Sequence, residues 1–248
     1  MNKVTIVAEI GVNHNGEYSE AIQLIEEAKK AGADAVKFQL WGKDQFPAIS
    51  DLRLDSDELI KTKLYAESFG LEWFCTAFDM ESLKFVDSLG VKIFKIPSNR
   101  AVVKNLDMID AIIEKAYQKR GKLFISTGIS SDAEIELISQ KAMDVDTTFF
   151  HCVSAYPTLP NESRLCELKR LERQDIGNGT AYSIRSIGLS DHSGLPEIPV
   201  AAVAMGATVI EVHLTMDKNQ EGPDHKASME PETFAEMVRM IRNVEKAI

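Results

Sequence analysis

The sequence predicts an α/β fold, a single (β/α)8 TIM barrel in which eight parallel strands alternate with eight helices. Three observations lead to this prediction. A strand-like run followed by a helix-like run occurs eight times along the chain. Glycines that suit helix ends follow five of the helix-like runs. The total of 248 residues fits a barrel of about 250 residues built as one domain, so we expect residues 1–248 to form that domain.

The strand candidates are short runs rich in β-branched and aromatic residues. They are Val4–Ile10, Ala33–Leu40, Glu72–Ala77, Val91–Ile96, Lys122–Thr127, Thr147–Val153, Ser186–Ser190 and Thr208–His213. The helix candidates that follow them have apolar residues at helical spacing. They are Ser19–Ala31, Asp55–Phe69, Met80–Leu89, Lys104–Lys119, Asp132–Met143, Arg164–Arg173, Ile198–Met205 and Pro231–Ala247.

The ends of these helix candidates carry suitable residues. Ser19, Ser131 and Asp79 are good N-cap residues, and acidic residues follow the two serines in the first turn. The glycines suited to the position after a helix are Gly32, Gly70, Gly90, Gly121 and Gly206.

Three irregular segments join the predicted elements. Trp41–Leu54 and Thr215–Glu230 follow strands two and eight, at the barrel end where functional loops lie. Gln174–Arg185, which contains Asn178-Gly179, is predicted to be an exposed turn on the opposite rim.

The composition excludes several classes of protein. The net charge of −10 and the pI near 5.1 disfavour binding to nucleic acid or to an anionic membrane. Three cysteines without CxxC spacing indicate a reduced, cytoplasmic setting without structural zinc. No apolar run is long enough to span a bilayer, and no signal peptide is expected, because the first strand candidate begins at Val4.

The stretch from Gly188 to His213 reads as one strand–helix–strand unit. Its parallel strands would lie side by side, so His192 and His213 would emerge together at one edge of the sheet. Two neutral imidazoles that converge at the carboxyl ends of neighbouring strands are natural ligands of a divalent metal.

Strand alternation also predicts which side chains face the lumen. This inward set is polar near the carboxyl ends of the strands. It comprises Glu9, Lys37, Gln39, Thr76, Lys95, Ser126, His192, Glu211 and His213.

Two inward lysines are costly unless they are paired. One interpretation is that Lys37 and Lys95 form internal ion pairs with Glu9 or Glu211. The interpretation that we favour adds Thr76 and Ser126 as neutral donors, which together with the lysines suit a phosphate or carboxylate ligand. Because strand eight neighbours strand one, Glu9 is expected near His213, as a third metal ligand or as a nearby acid or base.

Some signals have simpler explanations. Asn13-His14-Asn15-Gly16 is consistent with a plain turn after strand one, and Asp191 with a residue that orients His192 or caps the next segment. It is the combination of a metal pair with an anion pocket that favours a functional site.

A series of motifs resembles the barrel domain of the sialic acid synthase family, which makes N-acetylneuraminate and its legionaminate and pseudaminate relatives. The motifs occur in barrel order over nearly the whole chain. They are Ala8-Glu-Ile-Gly-Val-Asn-His-Asn-Gly16, Gly32-Ala-Asp-Ala-Val-Lys-Phe-Gln39, Cys75-Thr-Ala-Phe-Asp79, Phe94-Lys-Ile96, Ser126-Thr-Gly128, His151-Cys-Val-Ser-Ala-Tyr-Pro-Thr158, Gly188-Leu-Ser-Asp-His-Ser193 and Gly222-Pro-Asp-His-Lys-Ala-Ser228.

The resemblance implies condensation of phosphoenolpyruvate with an open-chain acylamino sugar, with Mn²⁺ or Mg²⁺ required. The products would be a nonulosonic acid and inorganic phosphate, and the enzyme is expected to be a homo-oligomer. The resemblance also implies site residues, whose roles differ. The implied metal ligands are His192 and His213; the implied phosphoenolpyruvate pocket is Lys37, Thr76, Lys95, Ser98 and Ser126; the residues implied around the sugar and the reacting centre are Glu9, Gln39, Tyr156 and Asp224.

The chain departs from the family pattern in two places. The C-terminal antifreeze-like domain that usually follows the barrel is not in this sequence, so a separate capping polypeptide is one expectation; different recognition of the sugar and impaired activity are the others. The family motif Lys-Ile-x-Ser-x-Glu reads Lys95-Ile-Pro-Ser-Asn-Arg100, which replaces a carboxylate by a cation. Arg100 either pairs with a nearby acid or binds an anionic group on the acceptor, such as a sugar phosphate.

Two other functions remain open at the level of the sequence. One is a different enzyme on the same barrel, either a metal-dependent aldolase or another phosphoenolpyruvate-using 3-deoxy-keto acid synthase. The other is a non-catalytic relative that binds phosphoenolpyruvate or sugar without turnover.

Overall fold

Eight parallel strands form one sheet in the computed structural model, which describes residues 3–42, 44–172 and 186–248. The strands are β1 (Thr5–Gly11), β2 (Ala35–Leu40), β3 (Glu72–Ala77), β4 (Ile93–Ile96), β5 (Lys122–Ser126), β6 (Asp146–Cys152), β7 (Ile187–Asp191) and β8 (Val209–His213). The hydrogen-bonded order is β3-β2-β1-β8-β7-β6-β5-β4. Because β3 and β4 at its two ends also contact each other, the sheet is a nearly closed barrel, and the predicted fold is confirmed.

Helices lie between the strands along the described parts of the chain. They are α1 (Tyr18–Ala31), α2 (Ser56–Ser68), α3 (Met80–Ser88), α4 (Arg100–Val103), α5 (Leu106–Gln118), α6 (Asp132–Lys141), α7 (Cys166–Glu172), α8 (Glu197–Ala204) and α9 (Pro231–Val244). Short 3-10 turns cover Pro47–Leu52, Pro160–Glu162 and His225–Ala227. The predicted end of the sixth helix at Arg173 and the predicted turn Gln174–Arg185 lie outside the described residues.

The fourth predicted helix, Lys104–Lys119, corresponds to α5, and the short helix α4 that precedes it was not predicted. The side chain of Asn99 accepts a hydrogen bond from the Ala101 amide and begins α4. The side chain of Asn105 accepts one from the Met108 amide and begins α5. Because each asparagine caps its own helix, α4 forms as a separate short helix between β4 and the predicted one.

Two of the three predicted N-caps are confirmed. The side chains of Ser131 and Asp79 accept hydrogen bonds from the first turns of α6 and α3. The prediction for Ser19 was wrong, since α1 begins at Tyr18 and its N-cap is Glu17, whose side chain makes no capping bond.

Four of the five predicted helix-end glycines have a positive φ, and Gly121 does not. Arg120 takes the left-handed conformation in its place, with φ 48°. A Cβ on Gly121 would lie 2.3 Å from the Lys92 carbonyl oxygen. This glycine is therefore needed for the close approach of two backbone segments rather than for its φ.

Apolar side chains close the floor of the barrel. Phe74, Phe124 and Phe150 meet edge to face, with ring centroids 5.8 and 5.1 Å apart. Val7, Ala35, Ile93 and Val209 complete this buried layer. Among the described residues, this layer lies below the polar side chains, which line a cavity at the carboxyl ends of the strands.

Asp34 connects the barrel floor to the last helix. Its Oδ2 accepts hydrogen bonds from the Ile6 amide at 2.9 Å and from Arg242 Nη2 at 2.7 Å, and Lys3 pairs with Oδ1. Burial alone would raise the pKa of Asp34, but the hydrogen bonds from Lys3, Ile6 and Arg242 hold this pKa below its usual range.

Replacing Asp34 by Asn is expected to lower the free energy of unfolding by about 1 kcal/mol at pH 7, since the side chain is partly exposed. A carboxyl with a depressed folded pKa stabilises the fold above its unfolded pKa, and this contribution is lost as the pH falls through the folded pKa. Urea unfolding should give a difference in free energy of unfolding between the wild type and D34N that is constant from pH 7 to about 5 and becomes smaller at lower pH. A gap that widens on acidification would contradict the assignment, and the exposed Asp146→Asn is the matched control.

Candidate active site

A cavity of about 280 Å³ opens at the carboxyl ends of the strands. All nine residues predicted to face the lumen line it. They are Glu9, Lys37, Gln39, Thr76, Lys95, Ser126, His192, Glu211 and His213. Three residues indicated only by the family resemblance, Ser98, Tyr156 and Asp224, also line this cavity.

The register of neighbouring strands explains why these side chains meet. Glu9 on β1 lies opposite Lys37 on β2 and opposite His213 on β8. On β1, Val7 and Glu9 point inward while Ile6, Ala8 and Ile10 pack against the helices. The same alternation places an apolar residue at the floor and a polar residue two positions later at the mouth.

Two lysines and two carboxylates form a buried cluster in the cavity. Lys37 Nζ lies 3.2 Å from Glu211 Oε1 and 3.5 Å from Glu9 Oε1, and Lys95 Nζ lies 3.2 Å from Glu211 Oε2. Ser190 donates a hydrogen bond to Glu211 Oε1 at 2.9 Å. Glu211 therefore bridges the two ammonium groups and is the centre of the cluster.

Burial and charge act differently on the members of this cluster. Burial alone would raise the pKa of Glu211, but Lys37 and Lys95 hold this pKa far below its usual range. The pKa of Glu9 is raised, mainly by burial, and Lys37 only partly opposes the rise. Burial lowers the pKa of Lys95, whereas the two carboxylates overcome burial at Lys37 and raise its pKa.

The internal ion-pair interpretation of the two lysines is therefore realised in the structure. The lysines alone do not require an external anion, because Glu211 already supplies a counter-charge. The cluster contains two ammonium groups, those of Lys37 and Lys95, and one carboxylate that is firmly ionised, that of Glu211. This balance still suits a ligand that brings further negative charge.

Hydroxyl groups line the same cavity as the lysines. Thr76 Oγ1 is buried and has no hydrogen-bond partner among the described residues. Ser126 is buried in the cavity wall, and Ser98 Oγ lies 3.0 Å from Ser154 Oγ. Neutral donors beside ammonium groups are the usual environment of a bound phosphate or carboxylate.

His192 and His213 lie together in the same cavity, with ring centroids 5.4 Å apart. His192 Nδ1 lies 2.7 Å from the Val153 carbonyl oxygen, to which it donates a hydrogen bond. Burial lowers the pKa of His192 to about 4 and that of His213 to about 3. Both imidazoles are therefore neutral at pH 7 and can act as metal ligands.

The donor atoms of this pair fit a divalent cation. The bond from His192 Nδ1 to a carbonyl fixes the tautomer and leaves Nε2 as an acceptor, as in many metal-binding histidines. His213 Nδ1 is buried without a hydrogen-bond partner in the described parts of the chain, and Asp224 Oδ2 lies 3.7 Å from it. Two such imidazoles match the ligand preferences of first-row divalent metals.

Glu9 was expected near His213 as a third metal ligand or as an acid or base, and the structure shows the contacts of its carboxylate. Glu9 Oε1 accepts a hydrogen bond from Gln39 Nε2 at 2.7 Å and faces Lys37. Within residues 3–42, 44–172 and 186–248, no group of three metal-binding side chains is assembled. Glu9 does lie beside His213 in the strand register, as expected, and its position suits an acid or base next to the imidazole pair.

Tyr156 covers the imidazole pair. Its ring stacks on His192 with centroids 4.1 Å apart and meets His213 edge-on at 5.9 Å. The residue is 47% exposed, so one face of the ring borders the opening of the cavity.

Arg100 lies apart from the cavity. Its side chain is 59% exposed, and Nη1 lies 3.9 Å from Glu134 Oε1. The structure thus contains the pairing with a nearby acid. Arg100 begins the short helix α4, which directs it to the outer surface instead of the lumen.

The set of inward residues predicted from the sequence omitted Cys152 and Ser190, which also line the cavity. Strand alternation carried a signal for both. Cys152 lies two positions after the inward Phe150, and Ser190 lies opposite the inward Glu211 in the register.

A larger open cleft of about 640 Å³ lies outside the barrel, between the segment after β2 and helix α3. The charged groups that line it are one cation, Arg53, and four carboxylates, those of Asp44, Asp55, Asp57 and Glu81. Their charge disfavours a phosphate ester, so the lumen cavity is the better candidate for an anionic substrate.

Comparisons with known proteins agree with this geometry. The model of the NeuB family matches residues 41–248. An N,N'-diacetyllegionaminic acid synthase from Campylobacter jejuni is 35% identical over 100% of this chain and 78% of its own length. A human N-acetylneuraminate-9-phosphate synthase is 32% identical over 98% of this chain and 70% of its own.

A solved structure shows the same barrel. It is the N-acetylneuraminic acid (sialic acid) synthetase from Leptospira borgpetersenii in complex with citrate, which is 30% identical, with a TM-score of 0.88 over 99% of this chain and 85% of that one. Among the helices of the described residues, none combines the length and apolar character that a membrane span requires.

Proposed function

Because this chain belongs to the NeuB family, we propose that it condenses phosphoenolpyruvate with an open-chain acylamino sugar. The products are a sialic-acid-type nonulosonic acid and inorganic phosphate. One observation carries the proposal: the cavity places a buried cationic cradle, Lys37 and Lys95, on the same barrel mouth as two neutral imidazoles, His192 and His213.

In the proposed reaction, C3 of phosphoenolpyruvate bonds to the aldehyde carbon of the sugar. Water adds at C2, and phosphate leaves through cleavage of the C2–O bond. Lys37 and Lys95 hold the phosphate and carboxylate groups with Thr76, Ser98 and Ser126, so that the substrates meet in register. This binding compensates the charge of the lysines that Glu211 balances only in part.

Glu9 is proposed to move protons at the reacting centre. Its pKa is raised by burial, so part of the population carries a proton near neutral pH. A carboxyl with a pKa close to the working pH is suited to general acid–base catalysis. Gln39 donates a hydrogen bond to Glu9 and orients it, while Tyr156 and Asp224 border the position proposed for the sugar.

We propose that His192 and His213 hold Mn²⁺ or Mg²⁺. When bound there, such an ion supplies Lewis-acid polarisation of a substrate oxygen. The residues of the chain keep the imidazoles neutral and oriented: burial lowers their pKa values, and the Val153 carbonyl fixes the ring of His192.

Replacing Lys95 by Met is expected to weaken phosphoenolpyruvate binding at least about thirtyfold, since removal of one buried charged contact typically costs 2–5 kcal/mol. Isothermal titration calorimetry with Mn²⁺ present measures the effect. Lys92→Met is the matched control, because Lys92 is an exposed lysine just before the same strand. Equal affinities of K95M and the wild type would contradict the proposed cradle.

The acceptor is proposed to be a neutral acylamino sugar, since Arg100 pairs with Glu134 outside the cavity. A panel of neutral and phosphorylated acylamino sugars checks the alternative, in which Arg100 binds an anionic group of the acceptor. Preference for a phosphorylated sugar that is lost in Arg100→Ala would favour that alternative. We also propose that the enzyme is a homo-oligomer and that it acts in the cytoplasm.

A further inference from the structure

The Asn13-His14-Asn15-Gly16 segment joins the loops that follow β1 and β8. Asn13 Nδ2 donates to the Leu214 carbonyl and lies equally close to Ser228 Oγ, both at 2.8 Å. Asn15 Nδ2 donates to Gln220 Oε1, also at 2.8 Å. These contacts connect parts of the chain more than 200 residues apart, and the plain-turn interpretation of the motif does not include them.

His225 is the central residue of this connection. It is fully buried, with Nδ1 at 2.7 Å from Thr215 Oγ1 and Nε2 at 3.0 Å from Asn15 Oδ1. One proton arrangement satisfies this chain: Thr215 donates to Nδ1, Nε2–H donates to Asn15 Oδ1, and the Asn15 amide donates to Gln220. Thr215 Oγ1 also lies 3.1 Å from the Asp217 carbonyl, but the contact to His225 is shorter.

The neutral state of His225 agrees with this arrangement. Burial lowers its pKa, and Asp224 and Asp217 only partly oppose this effect. We use the name loop latch for Asn13, Asn15 and His225 together with their hydrogen bonds.

The loop latch lies next to Asp224, the residue immediately before His225. The Asp224 carbonyl accepts hydrogen bonds from Ser228 Oγ at 2.7 Å and from the Ala227 amide at 3.0 Å. Its carboxylate lies 3.7 Å from His213 Nδ1. The backbone that follows this carboxylate is thus held at His225 and at Ser228, and both residues contact the asparagine segment.

The asparagine segment is itself held in one conformation. Asn15 has φ 51°, a left-handed conformation that asparagine tolerates better than most residues. A Cβ on Gly16 would lie 2.1 Å from the Asp51 carbonyl oxygen. The turn therefore offers a rigid support for the loop after β8.

We propose that Asn13, Asn15 and His225 are positioning residues, which hold the Asp224 carboxylate against His213 for the reaction proposed above. The inference rests on that proposed function. The loop latch acts through the backbone of residues 217–226, since Asn13, Asn15 and His225 are not among the residues that line the cavity.

Two variants of Asn15 distinguish the effect of its side-chain hydrogen bonds from the effect of its backbone conformation. Asn15→Gly accepts the positive φ and removes both hydrogen bonds. Asn15→Asp keeps the acceptor for His225 Nε2–H, and a rotated Gln220 amide can donate to its second oxygen. Asn219→Ala is the matched control, since Asn219 lies in the same loop but bonds only to Asp217 among the described residues.

Hydrogen exchange and single-turnover phosphate release test the proposal. In N15G, the backbone amides of residues 217–226 should exchange their hydrogens about tenfold faster than in the wild type. The rate of turnover should be about tenfold lower. The KM for phosphoenolpyruvate should change less than about twofold. N15D should restore both properties, and N219A should resemble the wild type. In an Asp224→Asn background, N15G should have no further effect on the rate.

Unchanged exchange in N15G would overturn the proposal, and so would a full additional loss of rate in the Asp224→Asn background. A wild-type enzyme that turns over no acceptor would instead refute the proposed function. In that case the exchange of N15G and N15D still decides whether the loop latch holds residues 217–226.

Discussion

Replacing Glu211 by Gln is expected to lower the free energy of unfolding by about 3 kcal/mol, because removing one partner of a buried ion pair leaves an uncompensated charge. Glu211 lies 3.2 Å from both Lys37 and Lys95, and all three side chains are nearly inaccessible to solvent. The loss is limited because Lys95, whose pKa is already lowered by burial, can release its proton. Chemical unfolding of E211Q and the wild type measures the difference.

The same variant links stability to the proposed substrate. If phosphoenolpyruvate binds the lysine cradle, it supplies the missing negative charge, so it should raise the melting temperature of E211Q more than that of the wild type. Glu211→Asp, which keeps the charge, should respond less than E211Q. An equal or smaller shift in E211Q would show that phosphoenolpyruvate binds elsewhere.

Replacing His192 by Ala is expected to reduce metal-dependent phosphate release by about a thousandfold or more, since Lewis-acid stabilisation is worth several kcal/mol and each 1.36 kcal/mol is tenfold in rate. The variant should retain its fold, because the ring is at the cavity wall and outside the apolar floor. Steady-state phosphate release and Mn²⁺ binding followed by electron paramagnetic resonance measure the two effects.

A second histidine provides the control for this substitution. His151 lies on β6, faces away from the lumen residues Phe150 and Cys152, and contacts the Ser163 carbonyl through Nε2 at 2.7 Å. His151→Gln retains a donor there and should preserve turnover and Mn²⁺ binding. Retained activity in H192A would refute the ligand assignment.

Much of the site could be predicted from the sequence because each side chain of a barrel strand points either into the lumen or toward the helices. Once Phe38 and Ile210 are placed against the helices, Lys37 and Glu211 must point inward. The order of the strands around a barrel then brings β8 next to β1, which sets His213 beside Glu9.

Other features depended on distances that alternation does not contain. Whether Lys37 reaches Glu211, Glu9 or open space is decided by side-chain length and rotamer. Strand alternation alone therefore does not predict which of these ion pairs form. Arg100 follows the last residue of β4 by only a few positions, yet the asparagine cap of α4 turns it to the surface.

The loop latch could not be predicted from the sequence for a different reason. Asn15 and His225 are 210 residues apart in sequence, and the motif itself is compatible with an ordinary turn. Only the barrel closure that places the loops after β1 and β8 side by side brings the two residues together.

Phosphate release from phosphoenolpyruvate that carries ¹⁸O at the bridging position tests the proposed function most directly. With Mn²⁺ and a panel of acylamino sugars, phosphate should appear only when both substrates are present, in equal amount to a nonulosonic acid, and it should contain the bridging label. Formation of pyruvate, release of phosphate without an acceptor sugar, or no turnover with any sugar of the panel would contradict it.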